Sequence, residues 1–307
     1  MRPFKSILVD VDATANAHPG LDQAVSVSRQ CEAHIKIVDV VNIPADSLRW
    51  LKTDMKEQIV SRRREQLAEI ANAIEDLSAD VDILEGRPAI ALIREVLRSN
   101  HDLLVRSHAR DLSVLVPAAY DAVDIDLFRQ CPCPVWVVCP SAASRSPRLL
   151  AAVHANIEDP VEQELNQKIV EMSLQMTQLL QGSLTIMQAW AAYAEGMVRY
   201  HIPADKAAEY VDSARQAAWR DLNALTGLFG DRLSGSRIEL RKGEPEVVIP
   251  RFVVTENIDL VVMGTVARTG ISGLLIGNTA ERLLQQLKCS ILAIKPEEFT
   301  SPVKLDT

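Results

Sequence analysis

Four glycines, Gly264, Gly270, Gly273 and Gly277, fall between Leu260 and Pro296 and give this chain its one stretch suited to holding an anion. Leu260 to Met263 is a continuous apolar run, the pattern of a strand buried on both faces of a parallel sheet. Beyond the glycines, the residues from Asn278 to Leu287 read as an amphipathic helix with a polar start that Asn278 can cap. Strand, glycine loop and helix in that order aim backbone N–H groups and a helix N-terminus at an anion. Within the loop Arg268 offers a guanidinium to a phosphate, or a charge to solvent. Thr265 and Thr279 carry hydroxyls that could serve a phosphate or satisfy the local backbone.

Other reactive side chains are less well organised. Cys131, Cys133 and Cys139 with His108 suggest zinc only superficially, because Cys-Pro-Cys lacks the usual two to four intervening residues. Cys133 and Cys139 flank an apolar strand, so packing is their expected role and no metal is expected. Arg106, His108 and Arg110 form a small basic cluster, readable as an anion holder or as a solvated loop. The chain has no GxxxxGK[ST] loop, GxSxG elbow, HExxH helix or recognisable pair of carboxylates. A binding module is therefore favoured over an enzyme.

The elements that must position these residues occur twice. The first series runs Lys5 to Val11 strand, Leu21 to Cys31 helix, Ile35 to Val41 strand, Ala45 to Leu77 helix and Val81 to Leu84 strand. It continues with Pro88 to Arg98 helix, Leu103 to Val105 strand, a short helix near Ile125 to Gln130, and Val135 to Val138 strand. After Ser141 to Pro147, a Ser, Ala and Pro stretch typical of a linker, a similar alternation restarts at Leu149. Glu85-Gly86-Arg87-Pro88 answers Lys242-Gly243-Glu244-Pro245, Leu103-Leu104-Val105 answers Leu260-Val261-Val262, and Cys133 to Val138 answers Cys289 to Ile294. The expected organisation is a domain over 1–140, a linker over 141–147, a second domain over 148–297 and a tail over 298–307. Each domain is expected to be a doubly wound parallel α/β unit with right-handed crossovers.

Gly264 and Gly277 fit the frame Gly, two residues, Gly, nine residues, Gly, Ser or Thr that marks the ATP loop of the universal stress protein family, and across its length the chain resembles that family. Ala267 stands at the second glycine of the frame and Asn278 at its Ser or Thr. The resemblance implies two five-stranded sheets of order 3-2-1-4-5, of the adenine nucleotide alpha hydrolase type. It also implies a role in stress response in the cytoplasm. In such a sheet the ligand crevice lies beyond the carboxyl ends of strands one and four. ATP with magnesium is the implied cofactor of the second copy, held by Gly264, Thr265, Arg268, Gly277, Asn278 and Thr279. His154 then stands where relatives end strand one with an Asp, and Ala189 where main chain meets adenine. The first copy keeps that carboxylate as Asp12 but has only Gly20 and Gly86, so its ATP loop is missing. Relatives dimerise through strand five, which implies an intramolecular pseudo-dimer here, with a further homodimer allowed.

The competing readings are a slow ATPase, the most that catalysis could amount to, and a pair that binds no nucleotide and works through protein contacts or an apolar small molecule. Tyr193, Met197, Val198, Tyr200 and Ile202 would suit such a ligand at the crevice mouth, or would serve as core or interface. Composition bounds the remainder. A formal net charge of −8 argues against nucleic acid or an anionic membrane as the main partner. No run approaches the roughly 20 apolar residues of a membrane span, and the apolar strand beginning near Lys5 leaves no room for a signal peptide. Five cysteines, an odd number, show no disulfide framework.

Overall fold

The computed structural model describes residues 3–43, 53–74, 78–108, 120–140, 146–265 and 277–305. Arg110, Ala267, Arg268, Gly270 and Gly273 lie outside them, as does most of the expected linker. The first repeat runs β1 (Ser6–Asp10), α1 (Pro19–Cys31), β2 (His34–Val41), α2 (Thr53–Asn72), β3 (Ala79–Glu85), α3 (Pro88–Ser99), β4 (Leu103–Ser107), α4 (Ala122–Gln130) and β5 (Val135–Val138). The second runs β6 (Arg148–Val153), α5 (Pro160–Leu179), β7 (Ser183–Trp190), α6 (Glu195–His201), α7 (Ala204–Gly227), β8 (Arg237–Lys242), α8 (Pro245–Thr255), β9 (Leu260–Gly264), α9 (Asn278–Leu284) and β10 (Ser290–Ile294).

Local chemistry accounts for the boundaries. Proline opens α1, α3, α5 and α8, where its fixed φ suits the first turn and its missing N–H costs nothing. The turns that precede α3 and α8 contain Gly86 and Gly243, at φ of 115° and 133°, a region closed to other residues without strain. The two sequence landmarks at these turns are thus one backbone requirement met twice. The first four residues of β4 and of β9 are all buried, which explains why both strands read as unbroken apolar runs in their first three positions. The short α6 and a 3-10 turn at Gly230–Leu233 are additions that periodicity did not disclose.

Two compact units result. One holds the described residues of 1–142 and 290–307, the other those of 143–269 and 277–289. In the first, the strand order is β3-β2-β1-β4-β5, with every one of these pairings parallel. In the second, β8-β7-β6-β9 repeats that order through its first four strands, again parallel. The last strand of the second repeat, β10, packs with the first unit and pairs antiparallel with β5, setting Ile291, Leu292 and Ala293 against Val137, Trp136 and Val135. Ser290 Oγ accepts the Cys139 N–H at 3.1 Å, and Arg94 Nε donates to the Lys304 carbonyl at 3.1 Å, so the residues after β10 also return to this unit.

Candidate functional site

In the second unit the strand register brings the expected residues to one end of the sheet. Ala152 lies opposite Met263, and Val153 opposite Gln188, so His154 follows β6 beside Thr265 and Ala189. The Gly277 N–H donates to the Thr265 carbonyl at 3.2 Å, closing the two ends of the glycine loop on each other. Gly264, Thr265, Gly277, Asn278, Thr279, His154 and Ala189 therefore lie toward the same end of the sheet, whereas Arg268 lies outside the described residues. Thr265 and Ala189 are buried; His154, Asn278 and Thr279 are exposed. Asn278 does not cap α9. Gly277 occupies the capping position in extended backbone and Asn278 is the first helical residue, so among the described residues no side chain caps this N-terminus.

The backbone after β6 is held by neutral amides. Asn166 accepts the His154 N–H at 2.9 Å through Oδ1 and donates through Nδ2 to the His154 carbonyl at 2.8 Å. Gln188 Oε1 accepts the Ala155 N–H at 3.1 Å. In the first unit the same task falls to Asp39, whose carboxylate accepts the Ala13 N–H at 3.4 Å. That charge needs a partner, and Arg63 on α2 provides one, reaching Asp39 at 2.7 Å and Asp12 at 2.9 Å. Burial pushes the Asp12 carboxyl up, but hydrogen bonds from the Thr14 hydroxyl and N–H and the charge of Arg63 outweigh it, leaving it below its ordinary value.

Of the basic cluster at the end of β4, Arg106 and His108 are buried against carboxylates rather than set in solvent, and Arg110 lies outside the described residues. Arg106 is 9% exposed because β4 continues through Ser107, and the register sets it directly opposite Asp10. Its guanidinium lies 3.4 Å from Asp10 and 3.3 Å from both Asp121 and Asp124. Asp121 and Asp124 close the N-terminus of α4 as a reciprocal capping box, with the Asp124 N–H donating to Asp121 at 2.7 Å. His108 Nδ1 is 3.2 Å from Asp124. Burial lifts the Asp10 carboxyl to about 6; Arg106 pulls it back down, while Asp39, Asp124 and Asp121 add to the rise.

Register and capping position put these charged residues in correspondence with neutral ones in the second unit. Asp10 answers to Ala152, Arg106 to Met263, Asp39 to Gln188, Asp121 to Gly277 and Asp124 to Ala280. A glycine also changes sides between the copies. In the first, Gly20 on α1 lets that helix rest on β4, where a Cβ would stand 2.8 Å from the Ser107 nitrogen and 2.9 Å from the Arg106 carbonyl carbon. In the second, the glycine is on the strand, and a Cβ on Gly264 would meet only the movable tip of Leu165 at 2.8 Å. Sequence reasoning missed Asp10, Arg106, Asp121 and Asp124 as a unit. The signal available was an Asp in an apolar strand and the Asp-x-x-Asp opening α4.

The apolar segment after β7 is largely outside the core. Tyr193 is 88% exposed and Tyr200 84%, and Met197 is exposed as well. Among the described residues no helix is long and apolar enough to cross a membrane.

Comparison with known proteins agrees with the repeat. The model of the universal stress protein family matches residues 3–139 and again 160–295. The chain is 30% identical over 317 aligned residues to universal stress protein E of Escherichia coli strain K12, covering all of this chain and 98% of the relative. It is 28% identical to a universal stress protein E homolog of Haemophilus influenzae, covering 96% of this chain and 98% of the relative. Among solved structures, a functionally unknown protein of Pseudomonas aeruginosa PAO1 superimposes with a TM-score of 0.71 at 24% identity, covering 97% of this chain and 94% of the other. A universal stress protein of Archaeoglobus fulgidus gives 0.66 at 14% identity, covering 95% and 97%. These two likenesses concern the fold.

Proposed function

The chain belongs to the universal stress protein family, and from that premise we propose that it is a cytoplasmic stress-response binding module whose second domain, 148–297, takes an adenine nucleotide with magnesium, while the first, 1–140, does not. The observation that carries this reading is the exchange of charge between the two crevices. The first holds Asp10, Asp12, Asp39, Asp121 and Asp124 against Arg63 and Arg106, an excess of carboxylates that opposes a polyphosphate. The second has neutral residues at the corresponding places, a loop whose ends meet, and an N-terminus with no side-chain cap. Gly264, Gly277, Asn278 and Thr279 would present donors to the phosphates, with Arg268 adding charge and Thr265 supporting the loop. His154 and the Ala189 main chain would meet the base. Among the described residues no side chain offers itself as a base for hydrolysis, so turnover is expected to be slow or nil. The pairing of β10 with β5 supports an intramolecular pseudo-dimer.

Isothermal titration with magnesium ATP tests the proposal. One site per chain is expected, weakened in Gly264→Ala, whose methyl group meets the Leu165 tip at 2.8 Å and so shifts the end of β9 from which the loop departs. Absence of heat at millimolar nucleotide would end the nucleotide reading. A second reading, an apolar small molecule in the same crevice, is favoured by Met263 in place of Arg106 and by the exposed Tyr193, Met197 and Tyr200. Native mass spectrometry of the purified protein separates the two by the mass that accompanies the chain.

A further inference from the structure

Apart from both crevices, the first unit contains a buried cluster where α4 runs into β5. Cys131 ends α4, Pro132 follows in a bend, and Cys133 leads toward the strand. The bend brings the two Sγ atoms to 3.6 Å. Lys295, the residue after β10, is buried beside them and donates from Nζ to the Phe128 carbonyl at 2.8 Å. Among the described residues no carboxylate pairs with Lys295, and Cys131 and Cys133 are the ionisable groups that act on it.

A buried ammonium without a counterion is costly, and burial pulls Lys295 down to about 8 while the two thiols pull it back up. The sulfurs respond unequally. Burial would raise Cys131, but the hydrogen bond with Cys133 and the charge of Lys295 outweigh it, so its thiol ends below the ordinary value. Cys133, held by the same hydrogen bond and also buried, goes well above. Cys131 is thus the more acidic of the two thiols, the one whose thiolate Lys295 favours. Buried cysteines in apolar surroundings are inert because nothing compensates a thiolate; here Lys295 does.

We propose that Cys131 and Cys133 form an oxidisable dithiol that a peroxide closes to a disulfide, with Lys295 as its positioning residue. The Cys131 thiolate attacks one peroxide oxygen and the O–O bond breaks. The departing hydroxide takes a proton from the Lys295 ammonium and leaves as water, and Cys131 is left as a sulfenic acid. The Cys133 sulfur then attacks the sulfenic sulfur, expelling hydroxide that combines with the Cys133 proton as a second water. Two thiols are oxidised and one peroxide is reduced. Cys131 is fully buried and Cys133 only 7% exposed, so the proposal requires an oxidant as small as hydrogen peroxide.

The test is thiol counting on the full-length, reduced protein exposed to hydrogen peroxide while folded, then unfolded and alkylated. Three of the five cysteines should alkylate, and the peptide carrying Cys131 and Cys133 should be lighter by two hydrogens. Alkylation at all five, oxidation to separate sulfinic acids, or a disulfide elsewhere would overturn the proposal. Lys295→Met should slow thiol loss by roughly tenfold and return its pH dependence to that of an ordinary thiol. Lys295→Arg, which keeps a cation beside Cys131 but gives up no proton, should react more slowly than the parent yet keep a pH dependence displaced below that of an ordinary thiol, which a packing role alone would not predict. If neither lysine variant folds, Cys133→Ser serves instead: a sulfenic acid trapped on Cys131 supports the assignment, and an unreactive Cys131 refutes it.

Discussion

Asp10 and Arg106 face each other across adjacent strands, and the carboxylate is the less comfortable of the two. With its carboxyl lifted from 3.8 to about 6, the folded state binds a proton that the unfolded chain has already released between those values. Stability therefore falls as pH rises through that window, by up to about 3 kcal/mol. Asp10→Asn should abolish this slope and stabilise the protein at pH 8 by about 1–3 kcal/mol, since Arg106 keeps Asp121 and Asp124; denaturant melts at pH 4, 6 and 8 would show it. Gly20 and Gly264 give a second contrast. Gly20→Ala drives a methyl group into backbone and should cost about 1–3 kcal/mol, a melting point lower by several degrees. Gly264→Ala should leave the melting point within a degree or two, about 0.5 kcal/mol, and act on binding alone. The importance of Gly264 was legible from its place after an apolar run. That of Gly20 was not, because the atoms it admits belong to residues 86 and 87 positions away in the sequence.

At the scale of elements, the same strand, loop and helix carry opposite chemistry in the two repeats. α4 begins with a carboxylate that closes its own N-terminus, and α9 begins with a glycine that leaves it open. A capping box contributes about 1 kcal/mol, so Asp121→Ala should lower stability by more than that, through both the cap and the Arg106 pair. It should not create a nucleotide site, because Asp10, Asp39 and Asp124 remain. Titration of this variant with magnesium ATP should thus give the same single site as the parent; a second site would show that the cap alone had excluded the ligand. The repeat of elements was readable from alternating apolar runs and from paired Gly and Pro at the turns. The identity of the N-cap of α9 was not, since Gly277 and Asn278 are both acceptable caps by type and only the backbone path chooses between them.

For the whole molecule, the packing unit and the sequence repeat do not coincide. The final strand of the second repeat completes the first unit by pairing with β5, and its residues Ile291, Leu292 and Ile294 are buried. Ending the chain at Cys289 should remove several kcal/mol of buried apolar surface and bare the edge of β5, giving a protein that melts early or associates; size-exclusion chromatography with a thermal melt would detect either. The class of fold, the two repeats and the strand and helix that flank the glycine loop were legible in local periodicity and spacing, and the family in the resemblance those residues carry. Tertiary structure alone decided which crevice is filled by its own ion pairs, which N-terminus stays open, which strand closes the first sheet and that two thiols meet a buried lysine. Those outcomes depend on contacts between residues far apart in the chain, and no local pattern encodes a distance across the sheet.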